Sequence, residues 1–203
     1  MEYWNDIITE KSFEVLQKIK KEFYFILIGG WAAYLYTKAL KSKDVDIIVN
    51  FNQLEKIKLK YNIKKNENLR KYELIIDNIE IDIYVPFYSK LIIPLDKIST
   101  TKIESFNVIN AEELLILKQG AILDRGESEK GFKDKVDVLA LLFNCDLDFN
   151  KYLNIIKENN KESLLNELIS LIKNFKEYKH FYKNPREFKL NKEKLLKKLK
   201  TLK

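Results

Sequence analysis

Asp44 and Asp46 stand two residues apart in the run Asp44-Val45-Asp46-Ile47-Ile48-Val49. On a strand, residues two apart share a face, so both carboxylates project together while Val45 and Ile47 turn to the core. Two carboxylates that close repel each other unless a cation sits between them. Hard oxygen donors in this number suit magnesium, which takes one or two carboxylates together with substrate phosphates rather than a full protein cage. Upstream, Gly29-Gly30 ends the apolar run Phe23 to Ile28. Residues without a β-carbon let backbone amides approach a phosphate closely at a helix N-terminus. A further acidic face lies on the run Ile79 to Val85, where Glu80, Asp82 and Tyr84 alternate with Ile79, Ile81, Ile83 and Val85.

The elements that must position these groups follow from periodicity. Phe23 to Ile28 predicts a strand, Trp31 to Leu40 a helix, and Asp44 to Val49 a second strand. Ile7 to Glu22 has apolar residues at Ile7, Ile8, Phe13, Val15, Leu16 and Ile19, which fits an amphipathic helix. Phe51 to Leu59 reads as a short connecting helix and Tyr61 to Asn68 as a strand edge or loop. Asp77-Asn78 fits a tight hairpin turn between the β-rich runs Tyr72 to Ile76 and Ile79 to Val85. Pro86 to Thr101 reads as a loop and Phe106 to Ile109 as an edge strand. From Asn110 the period is helical: Ala111 to Asp124, Lys133 to Phe143, Asn150 to Glu158, Lys161 to Tyr178, and a basic helix after Pro185. The expected fold is α+β, with a small mixed sheet flanked by helices over residues 1–109 and a helical lobe over 110–203.

Ile28-Gly29-Gly30 followed at this spacing by Asp44-Val45-Asp46-Ile47 resembles the signature of the nucleotidyltransferase superfamily, the polymerase-β-like fold. The run Ala111 to Leu142 resembles a second element of such enzymes, among them abortive-infection toxin-type relatives: a helix with a lysine, a downstream arginine, then a helix opening with Lys/Arg-Asp-x-x-Asp. Here those positions are Lys118, Arg125, Lys133, Asp134 and Asp137. The resemblance implies transfer of a nucleoside monophosphate from a nucleoside triphosphate such as ATP to a hydroxyl of RNA, protein or a small molecule. It implies two magnesium ions held by Asp44, Asp46 and a third carboxylate, for which Asp82, between Ile81 and Ile83, fits better than Glu80. It also implies nucleotide contacts from Gly29, Gly30, Lys118, Arg125 and Lys133. Many relatives carry a serine directly before the first aspartate, whereas here Ser42 is one place early and Lys43 intervenes. Two other readings are a relative that binds nucleotide or RNA without turnover, and the toxin subunit of a toxin-antitoxin pair with an antitoxin-like partner.

Composition narrows the classes. Hydrophobic residues make up 46% of 203 residues, enough for a sizeable core. The longest apolar stretch, Phe23 to Tyr36, is too short to span a bilayer, and the N-terminus lacks a basic leader, so a cytoplasmic protein without a membrane partner is expected. A lone Cys145 and a lone His180 exclude an internal disulfide and any centre built on several histidines. The formal charge of +7 is concentrated in Lys183 to Lys203, with eight Lys and one Arg against two Glu. That tail is where a polyanion such as RNA would bind. Tyr178, His180, Phe181 and Tyr182 add aromatics that either stack on bases or pack a helix junction.

Overall fold

Asp77 and Asn78 both take the left-handed conformation, with φ of 52° and 64°, the pair of positive values that a type I′ turn needs and that Asp and Asn tolerate. The turn sets Ile76 opposite Ile79 and so joins β4 (Lys71–Ile76) to β5 (Ile79–Tyr84) where the sequence places the hairpin. The structure is a computed structural model that describes residues 2–182 and 184–201, with side chains from residue 6 onward. Lys183, Leu202 and Lys203 of the basic tail lie outside the described residues. The chain divides into two compact units, Met1–Asn110 and Ala111–Lys203.

In the first unit, β1 (Ile26–Ile28), β2 (Val45–Ile48), β3 (Lys64–Asn66), β6 (Thr100–Ile103) and β7 (Phe106–Ile109) complete a seven-stranded mixed sheet of order β3-β4-β5-β2-β1-β7-β6. β2 lies antiparallel to β1 and parallel to β5, while β1 runs parallel to β7. Val45, Ile47, Ile81 and Ile83 are buried on one face, as their alternation requires.

Two strand expectations change. Thr100 and Thr101, expected as the end of a loop, open a strand that runs to Ile103, and its pairing with β7 makes β6 the edge instead of β7. Its residues Thr-Thr-Lys-Ile are largely exposed and carry no apolar alternation, and a lysine-bearing polar edge is how sheets avoid pairing with other chains. The turn to β7 uses Glu104 and Ser105 at φ of 47° and 66°, residues that give little turn signal.

Three helices serve this sheet: α1 (Glu2–Glu22), α2 (Gly29–Thr37) and α3 (Phe51–Lys60). α1 buries Ser12, Val15, Leu16 and Ile19, whereas Ile7 and Ile8 are exposed, so the buried stripe is narrower than the apolar pattern. α2 is seated by Trp31, whose indole Nε1 donates to Ser12 Oγ at 2.8 Å inside the core and whose ring lies 5.0 Å from that of Phe13. Asn50 caps α3 by accepting from the Gln53 amide.

The second unit is helical: α4 (Ala111–Arg125), α5 (Glu129–Asn144), α6 (Phe149–Glu158), α7 (Ser163–Asn174), a short 3-10 turn at Tyr178–His180, and α8 (Pro185–Lys200). α5 begins at Glu129, earlier than the apolar period suggests, because Ser128 caps it by accepting from the Gly131 amide. α7 stops at Asn174, short of the predicted Tyr178. Tyr152 is fully buried and donates from its hydroxyl to Gln119 Oε1 at 2.9 Å, and Gln119 Nε2 donates to the Leu164 carbonyl at 2.8 Å. This chain of bonds ties α6, α4 and α7 together while leaving no polar atom of the set unmatched. Among the described residues, no helix is long and apolar enough to cross a membrane.

The Trp31–Ser12 bond gives a stability prediction. Ser12→Ala leaves a buried indole N–H without its acceptor, so unfolding free energy should fall by about 1–3 kcal/mol, read by urea denaturation followed by tryptophan fluorescence.

Candidate active site

The end of β1 delivers Gly29 and Gly30 to the first turn of α2. Gly29 has a φ of +67°, a conformation that L side chains rarely adopt, and a β-carbon built there would lie 2.0 Å from Asp46 Oδ2. The Asp46 carboxylate therefore occupies the space that any other residue at 29 would fill. The N-cap residue of α2 is Ile28, which offers no side-chain acceptor to the first-turn amides. A carboxylate beside a helix N-terminus is favoured by the helix dipole. The same positive end is where a phosphate would be attracted.

Register places the other acids. Asp46 pairs with Ile28 on one side and with Asp82 on the other, and Asp82 pairs with Glu73 of β4. Residues in register on neighbouring strands point to one face at a spacing of about 4.8 Å, so Glu73, Asp82 and Asp46 form one row of carboxylates across three strands. Asp44 lies just before β2, which starts at Val45, so strand alternation governs Asp46 and reaches Asp44 only as a neighbour in the preceding bend. Glu80 pairs with Ile75, stands outside that row and is exposed. Ser42, in the segment between α2 and β2, is buried at 4% exposure.

Sequence reasoning missed the basic partner of this row. Lys71 Nζ lies 2.6 Å from Asp82 Oδ2 and 3.2 Å from Glu73 Oε1, with its side chain only 13% exposed. Burial works to lower the Lys71 pKa, but the hydrogen bond and charge of Asp82, helped by Glu73, outweigh it and hold the ammonium above the ordinary lysine value. Glu73 in turn accepts from Asn66 Nδ2 at 2.8 Å. That bond, and then Lys71, keeps its carboxyl below the usual range against the effect of burial. The signal was available: with the turn at 77 and 78, counting outward sets 73 opposite 82 and 71 on the same face.

The donor chemistry of Asp46, Asp82 and Asp44 fits a magnesium ion that takes one or two carboxylates and completes its shell with phosphate and water. Among the described residues, no three His, Cys, Asp or Glu are grouped so as to hold a metal by themselves. A lysine ammonium is the cation that now lies against Asp82.

In the second unit, Lys118 projects from α4 into a buried triad. Its Nζ lies 2.8 Å from Asp134 Oδ1 and 2.7 Å from Asp137 Oδ2, and all three side chains are at most 8% exposed. Burial alone would push the Lys118 pKa down, but the charges of Asp137 and Asp134 reverse this and hold it above the ordinary lysine value. Asp134 Oδ2 also lies 2.6 Å from Arg125 Nη1, whose side chain is 43% exposed. Asp134 is thus the bridge that orients both basic groups. Lys133 lies beside this aspartate in sequence, near the start of α5.

The aromatics near the tail pack on one another. Phe181 stacks on Phe188 with centroids 6.0 Å apart and rings 2° from parallel, and Phe143 meets Phe181, Tyr182 and Phe188 edge-on. They form a helix junction. The basic segment is likewise built into the unit, since α8 buries Phe188, Leu195 and Leu199. Burial pushes the Cys145 thiol up to about 11, with Glu112 adding to the effect, which leaves it a poor nucleophile at neutral pH.

Two substitutions test these arrangements. Gly29→Ala must carry a left-handed backbone, costing about 1–2 kcal/mol, and must also expel the Asp46 carboxylate from its place; a lowered melting temperature that Asp46→Gly partly restores is the expected result. Lys118→Met leaves Asp134 and Asp137 as buried like charges on adjacent turns, so stability at pH 7 should drop by about 3–5 kcal/mol, measured by chemical denaturation.

No protein-family model and no curated protein matches the sequence significantly. Solved structures do match. JHP933 from Helicobacter pylori is 17% identical, with 96% of this chain and 94% of that chain covered and a TM-score of 0.52. An H. pylori protein designated a candidate nucleotidyltransferase is 17% identical over 96% of each chain, with a TM-score of 0.51. ANT(2")-Ia, solved with adenylyl-2"-tobramycin, is 12% identical, with 78% of this chain and 99% of that chain covered and a TM-score of 0.51. The mixed sheet, with Gly29-Gly30 entering a helix beside an aspartate strand, belongs to the α+β fold that these solved structures share.

Proposed function

We propose that the chain is a magnesium-dependent nucleotidyltransferase that moves a nucleoside monophosphate from a nucleoside triphosphate to a hydroxyl acceptor. The observation that carries this reading is the seating of Asp46 against Gly29, in register with Asp82 on the adjacent parallel strand. It sets an anion-attracting helix N-terminus beside a row of carboxylates, the two halves of a site for a metal-bound triphosphate.

Asp44, Asp46 and Asp82 are the residues that would hold magnesium. When bound, the metal would neutralise charge on the triphosphate and on the oxygens that attack and leave. Gly29 and Gly30, which carry no side chain of their own, would admit a phosphate close to the backbone of α2, beside the Asp46 carboxylate. Asp82 Oδ1, the oxygen not against Lys71, would take the proton of the acceptor hydroxyl. Ser42 is a further nucleotide contact proposed in the first unit, and Arg125 and Lys133 are the basic groups proposed to meet a nucleotide in the second. Lys118 would act mainly through Asp134, which sets the position of the Arg125 guanidinium. The exposed lysines of α8 favour RNA as the acceptor over protein or a small molecule.

The test is incubation of the full chain with each α-labelled nucleoside triphosphate, magnesium, and total RNA, protein or a small-molecule extract. Label should enter one acceptor class. Asp46→Asn and Asp82→Asn should each lower the rate by orders of magnitude while leaving the circular dichroism spectrum unchanged, and Glu80→Gln should have a mild effect. Absence of label transfer with every triphosphate and acceptor class, or near-normal turnover by Asp46→Asn, would sink the reading.

A further inference from the structure

The acid row carries a cation of its own. Lys71 reaches Asp82 Oδ2 at 2.6 Å and Glu73 Oε1 at 3.2 Å, from a side chain 13% exposed, and no turn of sequence forces it there: Lys71 and Glu73 lie on one face of β4 because they are two residues apart. A lysine with two acids in reach has two resting places. Glu73, whose side chain is 36% exposed and held by Asn66, is the outer one; Asp82, at 22%, is the inner one, next to Asp46 in the row.

We propose that Lys71 is a resident counter-ion that competes with a divalent cation for Asp82. Resting on the metal-dependent reading above, this assigns Lys71 as a positioning residue that acts through Asp82. Without a divalent cation, its ammonium cancels the repulsion that Asp82 would otherwise feel from Asp46 and Glu73. When a divalent cation approaches the row, both cations cannot share Asp82 Oδ2, since like charges a few ångströms apart repel strongly in a half-buried setting. The ammonium then moves onto Glu73 alone, a short displacement because that carboxylate already lies at 3.2 Å. The affinity of the site for its cation is therefore set low by design of β4, and a nucleotide that brings its own phosphate oxygens is needed to tip the exchange. The arrangement would keep the acids from being loaded by free metal when no triphosphate is present.

Calorimetric titration of the nucleotide-free full chain with manganese reads this directly, with no dependence on turnover. Lys71→Met keeps the stem and removes the charge, and should bind manganese about tenfold more tightly than the wild type. Lys71→Arg, which keeps the charge and grips a carboxylate with two N–H donors, should bind more weakly than the wild type and guards against a folding defect in the first variant. Adding Asp82→Asn to Lys71→Met should erase the gain, a coupling that a merely structural lysine would not show. Equal affinity in wild type, Lys71→Met and Lys71→Arg overturns the proposal while leaving the metal reading intact. Absence of manganese binding in all of them overturns the proposal, and absence that persists when a nucleoside triphosphate is added overturns the metal reading as well.

Discussion

The site depends on one steric fact: the Asp46 carboxylate lies where a β-carbon on residue 29 would be. Only glycine meets both demands at that position, a left-handed backbone and an absent side chain. Once Asp46 is lodged against the first turn of α2, the order of the three central strands acquires a purpose. β1 ends at the glycines, β2 carries Asp46, and β5, parallel to β2, carries Asp82 in the same row. A slip of one residue in β2 or β5 would turn one of these acids to the opposite, aliphatic face and bring Val45 or Ile81 out of the core.

Charge is handled differently in the two units. In the first, the acids are half exposed, and a single lysine neutralises two of them from the side. Partial hydration keeps the cost of gathering like charges modest and leaves Lys71 room to exchange partners. In the second, Lys118, Asp134 and Asp137 are nearly dry, so the ammonium is the condition for burying two aspartates at all. The first arrangement suits a site where ions come and go; the second suits a fixed joint between α4 and α5. Pairs such as Lys18–Asp77, with both side chains at least half exposed, contribute little beside either.

The basic C-terminal segment joins these two themes. Its lysines form a charged surface, yet Phe188, Leu195 and Leu199 anchor the helix through an aromatic and aliphatic core. A surface that draws a polyanion and a helix that completes a hydrophobic unit are carried by the same residues 185–200, and the i, i+4 spacing of an α-helix allows both faces at once.

By itself the sequence determined whatever is encoded locally. The hairpin at Asp77-Asn78 is legible because few residues accept two successive positive φ values. The strand of Asp46, the Gly-Gly entry to α2, the helical second unit and the acid alternation at Glu80 and Asp82 are legible because side-chain period follows backbone geometry. Tertiary structure decided what no period encodes: that β6 pairs with β7 despite an exposed, polar sequence, that Ile7 and Ile8 stay in solvent, and that β2 begins at Val45 and not at Asp44. It also decided the partners of charge. Asp134 and Asp137 are visibly one helical turn apart, but the lysine between them comes from another helix. Lys71 finds Asp82 across a hairpin. An ion pair is chosen by which elements become neighbours and how much water they exclude, and both are properties of the packed chain.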